Sequence, residues 1–417
     1  GSYINPDQFR SYNYPMVHLC IHPDTEIPTN NGFTKKAHEL SEGDSILTHT
    51  GQLTTVSAVT ISKPTEFNGN GKSIIIKAWG QQPLEVTPNH PIFTKRGWVL
   101  ADELSKSDLV SYPIREITNE INSITLPLST HRKHGGGRIA KLSGATIPLS
   151  NDFGYTIGYF LANGSVHMQN GKGGEIIFAR HDRDVSHTDR ALKILLELGL
   201  KARRYSRNGC LTTTETVSNA PLSTFFLENF GKREDKKIPD WVFKCGKDFL
   251  EGILVGYLSG DGNRKDGVWK GKYELASIMA TTISSSIAFQ IRDIALSLGV
   301  GIASIDIKGA GVLYGRNCKK AYNLRWAGSS ARKLREMLGH PVINNGKKNV
   351  EKSFIEDGFV WIRIKDLSES TIDSVVDIEV EHSDHSFRTI SMSVKNSEVG
   401  LWEDTMKRKA ANVAQSL

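Results

Sequence analysis

Residues 153–164, FGYTIGYFLANG, and 251–262, EGILVGYLSGDG, repeat one pattern of small residues and decide how the centre of the chain folds. The first places Gly154, Gly158 and Ala162 at i, i+4 and i+8; the second places Gly252, Gly256 and Gly260 at the same spacing. On helices these positions share one face and form a shallow groove, so the two helices are predicted to pack backbone to backbone. The residue before each final glycine, Asn163 in one copy and Asp261 in the other, then falls at the paired helix ends. Two carboxylates so placed hold a divalent metal for in-line phosphodiester cleavage. Here one of the two is a neutral amide, a poorer ligand for a hard cation.

Working outward, residues 151–345 carry further helical periodicity, as in DRALKILLELGL and SSSIAFQIRDIALSLGV. On either side the pattern becomes strand-like, with alternation between Gly, Asn and Pro punctuation at 20–115 and again at 371–396. The polar stretches 116–150 and 346–370 are expected to be connectors, and 1–19 and 397–417 to be flanks. The chain therefore reads as a β unit interrupted by an α/β unit. Its 417 residues carry a net charge of +7, but residues 151–345 alone carry +9 and the remainder −2. Clusters at Lys201, Arg203, Arg204, Arg207 and at Arg316, Lys319, Lys320, Arg325 suit a phosphate-contacting surface.

A hydrophobic content of 38% excludes wholesale disorder. No apolar run approaches the roughly 20 residues of a membrane span. Four scattered cysteines, at 20, 210, 245 and 318, fit neither a disulfide scaffold nor a paired-cysteine zinc site. A cytoplasmic, monomeric protein is expected.

The paired glycine helices, with KKIPDWVF before the second and ATTISSSIAFQIRDIALSLGV after it, resemble the LAGLIDADG homing endonucleases in their two-motif form. That resemblance implies two pseudo-symmetric αββαββα halves that bind double-stranded DNA, with Mg²⁺ serving any residual cleavage. It also implies that Lys236, in K-x-I-P, matches a lysine implicated in cleavage. Asn163 departs from the pattern, so double-strand cleavage is expected to be impaired or lost.

The surrounding β unit resembles an intein, a self-splicing element whose N- and C-terminal parts form a mostly β, horseshoe-shaped Hint domain. CIHPDTEIPTNNGFTKKAHELSEGDSILT opens it at Cys20; LEVTPNHPIFT supplies a T-x-x-H block as Thr87 and His90; VVDIEVEHSDHSF supplies Asp377 and His385; Lys395, Asn396 and Ser397 close it. By this resemblance Cys20 attacks the carbonyl of Leu19, and His90 with Thr87 holds the scissile amide and protonates the departing amine. Ser397 then accepts the acyl group, Asn396 cyclises, Asp377 orients Cys20 or relays protons there, and His385 assists cyclisation. No cofactor is required. Lysine at 395 departs from the histidine common there; with an ordinary pKa near 10.4 it is a poor proton shuttle at pH 7.

Two rival readings come from other classes: a DNA endonuclease that has lost splicing, and a Hint autoprocessing domain that cleaves without ligating. The Asn396–Ser397 pair argues against the second. Joined, the flanks read RSYNYPMVHL-SEVGLWEDTMKRKAANVAQSL, which resembles the large terminase subunit of tailed phages. There Glu398 would orient water for ATP hydrolysis.

Overall fold

The computed structural model describes residues 19–63, 71–128, 140–169, 173–181, 185–206, 212–269, 273–313, 316–341 and 352–396. The flank residues 1–18 and 397–417, and with them Ser397 and Glu398, lie outside the described residues.

The β unit is woven from both ends of the chain. Its largest sheet runs in the order Ser386–Arg388, Ser393–Lys395, Pro91–Thr94, Leu109–Pro113, Phe359–Thr371, Lys72–Ala78, Leu84–Val86, with two further strands paired off this path. A second sheet joins Val375–Val380 to Leu53–Ser62 and Ser45–Leu47. Strands from before and after the central unit thus share hydrogen-bonded ladders around one apolar core. The expected connector at 346–370 is corrected here. Residues 359–371 form a strand in the middle of the large sheet, paired to Leu109–Pro113 on one side and Lys72–Ala78 on the other. Val360, Ile362 and Ile364 face inward, while Arg363 and Lys365 face out. These interleaved charges disguised a strand as a polar linker. The other expected connector, 116–150, also contains folded structure. Ser123–Thr125 pairs with Thr146–Pro148, and Leu126 and Ile147 are buried in the central unit's core.

Among the described residues the central unit has six α-helices: α1 (Asn151–Asn163), α2 (Val185–Glu197), α3 (Ala220–Phe230), α4 (Lys247–Asp261), α5 (Ser285–Ser297) and α6 (Gly328–Met337). Each half has its own four-stranded antiparallel sheet. The strands run first, second, fourth, third: Gly164–Gln169, Gly173–His181, Thr212–Ser218, Ala202–Ser206 in one half, and Gly262–Trp269, Tyr273–Thr282, Ala321–Ala327, Ser304–Lys308 in the other. Serine or asparagine starts three of the helices. Ser150, Asn219 and Ser284 accept hydrogen bonds from the backbone amides of Phe153, Leu222 and Ile287.

The axis of this unit is the α1–α4 pair. A Cβ added at Gly158 would collide with the carbonyl oxygen of Ile253, and one at Gly256 with that of Tyr155. Glycine is required because another helix's backbone occupies the space a side chain would fill.

Candidate functional site

The β unit brings Cys20, Thr87, His90, Asp377 and the backbone of Lys395 together. Ile21 and Val376 exchange backbone hydrogen bonds of 3.0 and 2.9 Å, which fixes Cys20 beside Asp377. On the other side the Thr87 amide donates to the Cys20 carbonyl at 3.0 Å, and the His90 amide donates to the Thr87 carbonyl at 3.0 Å. This turn presents the Thr87 hydroxyl oxygen to the Cys20 amide, which donates to it at 3.3 Å. That amide nitrogen belongs to the Leu19–Cys20 peptide bond. His90 Nδ1 lies 3.1 Å from the Cys20 carbonyl oxygen.

The site is dry. Leu19, Cys20, Thr87, His90 and Asp377 are all buried. Burial, and secondarily the charge of Asp377, pushes the Cys20 thiol well above its ordinary pKa. Burial pulls His90 down to about 4, opposed by the Asp377 charge and by backbone hydrogen bonding at Cys20 and Lys395. A thiol and a neutral imidazole are therefore the resting forms at neutral pH.

The other end is built as a ribbon. Ser386–Arg388 pairs with Ser393–Lys395, setting Ser386 opposite Lys395, and Val394 pairs with Ile92 two residues after His90. Asn396 is buried, and its amide donates to the His385 carbonyl at 3.0 Å. His385 has a φ of +44°, a left-handed conformation that is uncommon away from glycine. Lys395 Nζ donates to the Asp384 carbonyl at 3.2 Å and lies 5.3 Å from the centre of the Trp98 ring.

Sequence reasoning missed His49. Its Nδ1 is 2.7 Å from the Ser386 hydroxyl, and its ring packs edge-on against Phe93 and Trp98. Burial lowers its pKa, with Asp384 opposing. Nothing near position 49 signals this contact, because the Ser386 hydroxyl lies 337 residues away in sequence.

A second cluster lies at the ends of α1 and α4. A Cβ at Gly260 would sit 3.0 Å from Asn163 Nδ2, so the two helix ends abut. Lys236 is buried and donates to the carbonyls of Phe160 and Leu161 at 2.8 Å and of Gly164 at 2.9 Å. Those bonds use all three ammonium protons and cap the carbonyl end of α1. Burial lowers Lys236 to about 8 and raises Asp261 to about 6, with each partner's charge opposing the shift in the other. One reluctant carboxylate, one amide and a buried ammonium do not fit a resident divalent cation. No group of three or more His, Cys, Asp or Glu suited to a metal occurs among the described residues.

On the surface of this unit, Lys201, Arg203, Arg204 and Arg325 are exposed, while Lys319 pairs with Glu234 at 2.8 Å. Arg207 lies outside the described residues, and nothing is described of the Arg316 side chain. No helix among the described residues is long and apolar enough to cross a membrane.

Residues 150–231 match the family model of a LAGLIDADG-like domain, so the chain contains such a domain. Among curated proteins, the chain is 27% identical over 427 residues to the ATP-dependent DNA helicase Hel308 of Thermococcus kodakarensis, covering 91% of the chain and 36% of that protein. It is 29% identical to the DNA-directed RNA polymerase subunit Rpo1C of Methanocaldococcus jannaschii, covering 46% of the chain and 24% of that protein. It is 22% identical to a SufBD-family iron–sulfur cluster assembly protein of Mycobacterium bovis, covering 78% and 37%. The chain thus spans about a third or less of these relatives' length. Among solved structures, a variant of the homing endonuclease I-DmoI aligns at 12% identity and a TM-score of 0.33, over 47% of this chain and 99% of that one. The DnaB intein of Synechocystis sp. PCC 6803 aligns at 21% identity and 0.21, over 23% and 69%.

Proposed function

We propose that this chain is a cis-splicing intein carrying a LAGLIDADG-type DNA-binding domain. The observation that carries the proposal is the convergence on His90. His90 Nδ1 lies 3.1 Å from the Cys20 carbonyl oxygen, and the strand that follows it pairs through Ile92 with Val394, so both junctions are gathered beside one buried residue. The relatives support the reading in another way. A helicase, an RNA polymerase subunit and an iron–sulfur assembly protein share no reaction, yet this chain aligns with part of each. An inserted element common to unrelated hosts accounts for that pattern.

In the first step the Cys20 sulfur attacks the Leu19 carbonyl carbon. A C–S bond forms and the C–N bond breaks, and the thiol proton ends on the Cys20 nitrogen. Thr87 steadies that nitrogen and His90 handles the proton. The Ser397 hydroxyl then displaces the thioester sulfur. The Asn396 side-chain nitrogen attacks its own carbonyl carbon, forming a succinimide and releasing Ser397. The ester linking Leu19 to Ser397 finally rearranges to an amide. Asp377 keeps the Cys20 end aligned, and His385 assists cyclisation.

Residues 151–345 are proposed to bind double-stranded DNA, with cleavage impaired because Asn163 leaves Asp261 without a partner carboxylate. The joined flanks are proposed to belong to a terminase-like host, with Glu398 restored to an ATPase site by splicing.

Mass spectrometry of the expressed chain tests the central reading. Splicing yields a 377-residue excised segment and a 40-residue joined flank. Cys20→Ala should abolish the first cut, and Asn396→Ala the second. Separate flanks without ligation would favour the autoprocessing alternative, and an inert chain would favour a DNA-binding protein alone.

A further inference from the structure

The central unit does more than ride inside the β unit; its helix α5 is built into it. The Ser286 hydroxyl accepts from the Thr34 amide at 3.1 Å, and the Ser297 hydroxyl donates to the Arg115 carbonyl at 2.7 Å. Leu296, between these ends, is part of the β unit's own apolar core. In the middle of the helix lie Arg292 and Asp293, both buried.

Asp293 receives a two-pronged contact from Arg388. Nη2 of the guanidinium lies 2.7 Å from each carboxylate oxygen. Arg388 is 1% exposed and sits at the base of the ribbon whose far end holds His385 and Asn396. Arg292 Nη2 donates to the Ile390 carbonyl at 2.8 Å, in the turn of that ribbon, and its Nη1 donates to the Gln81 side chain at 2.9 Å. The Tyr112 ring supports both guanidinium groups, at 4.4 Å from Arg388 and 5.1 Å from Arg292. Buried charge is costly unless fully paired, and removing one partner leaves the other stranded.

We propose that Asp293 and Arg292 of the inserted domain are positioning residues for cleavage after Asn396, acting through Arg388 and the Ile390 turn. This rests on the splicing reading above. The two contacts fix the base of a two-stranded ribbon against a rigid helix. The ribbon is short, so a shift at Arg388 is carried to the His385–Asn396 pair three residues away. It is carried much less to Cys20, which is held by its own bond from Thr87 and by the bonds of its neighbour Ile21 to Val376. Misplacement by about 1 Å costs roughly a hundredfold in such reactions.

The test uses the full 417-residue chain and follows the two junctions separately. Dithiothreitol-induced cleavage before Cys20 reports one, and succinimide formation at Asn396 the other. Asp293→Asn keeps shape but removes the charge opposite Arg388. It should slow the Asn396 step about tenfold or more and leave the Cys20 step within about twofold. Asp293→Glu, which keeps the charge, should restore most of the Asn396 rate. If Asp293→Asn does not fold, Arg292→Lys, which keeps the charge but gives up the fork that reaches the Ile390 carbonyl, carries the test, with a several-fold slowing confined to the Asn396 step. Unchanged Asn396 cleavage in the folded Asn variant overturns the inference. So does equal loss at both junctions, which would mark a merely structural pair. A parent chain that cleaves at neither junction overturns both this inference and the splicing reading.

Discussion

The pocket around Cys20 and the paired ends of α1 and α4 both bury an acid and a base, and in both burial raises the acid and lowers the base. In the β unit the buried base, His90, is pulled down to about 4 and is neutral at pH 7. In the central unit the buried acid, Asp261, is raised to about 6, and its ammonium neighbour Lys236 is lowered to about 8. In the first pocket the imidazole lies against the backbone of Cys20. In the second, the Lys236 ammonium is already committed to three carbonyls. The proposed splicing reading asks the first to move protons, whereas the contacts of the second hold a helix end together. The difference follows from partners, since desolvation acts on both alike.

The largest expected effect lies in the first pocket. His90→Ala should slow cleavage before Cys20 about a hundredfold or more, measured at saturating dithiothreitol. The pH profile of the parent separates two routes. A thiol with neutral imidazole and a thiolate with imidazolium contain the same number of protons. Attack with proton delivery by His90 is therefore expected to be nearly flat from pH 6 to 9. A rate rising tenfold per pH unit would mean that free thiolate attacks and that His90 delivers nothing.

Next is the stability of the two regions against pH. His90 is depressed below its unfolded pKa of roughly 6.5. Its contribution is fully present above that pH and lost as pH falls toward 4, a change of about 3 kcal/mol. Asp261 is raised, so its contribution is present at low pH and lost as pH rises from roughly 3.8 through 6. It is of similar size, because a neighbouring charge opposes burial at both groups. Hydrogen exchange at pH 4.5 and 6.5, corrected for intrinsic rates, should show protection falling in Pro91–Thr94 and Leu109–Pro113 on acidification. Protection in α1 and α4 should hold or rise. Equal losses in both regions would remove the contrast.

Much of this arrangement is written locally in the chain. The i, i+4, i+8 glycines specify helix contact because only a missing side chain admits another backbone. The T-x-x-H spacing places Thr87 and His90 on one turn. What resisted reading were contacts made by pairing distant strands. His49 meets Ser386, and Arg388 meets Asp293, across long separations in sequence. Arg292 and Asp293 are adjacent charges on a helix, yet both are buried, because the 386–395 ribbon covers them. The strand at 359–371 was hidden in the same way, by charges on its outer face.

The smallest expected effect concerns the residue before Asn396. Lys395 hydrogen-bonds to the Asp384 carbonyl and lies near the Trp98 ring, so its ammonium is engaged on the side of Asp384. An ammonium of ordinary pKa gives up its proton reluctantly at pH 7, whereas an imidazole near 6.5 exchanges one readily. Lys395→His should therefore raise the rate of Asn396 cyclisation about three- to tenfold at pH 7. The gain should shrink on both sides of pH 6.5, as the imidazole becomes fully charged or fully neutral. Cleavage before Cys20 should be nearly unchanged, because the Lys395 ammonium is engaged on the side of Asp384. If cyclisation in the variant keeps the parent rate and profile, His385 already supplies all the proton transfer the step requires. Lysine at 395 would then carry no kinetic cost.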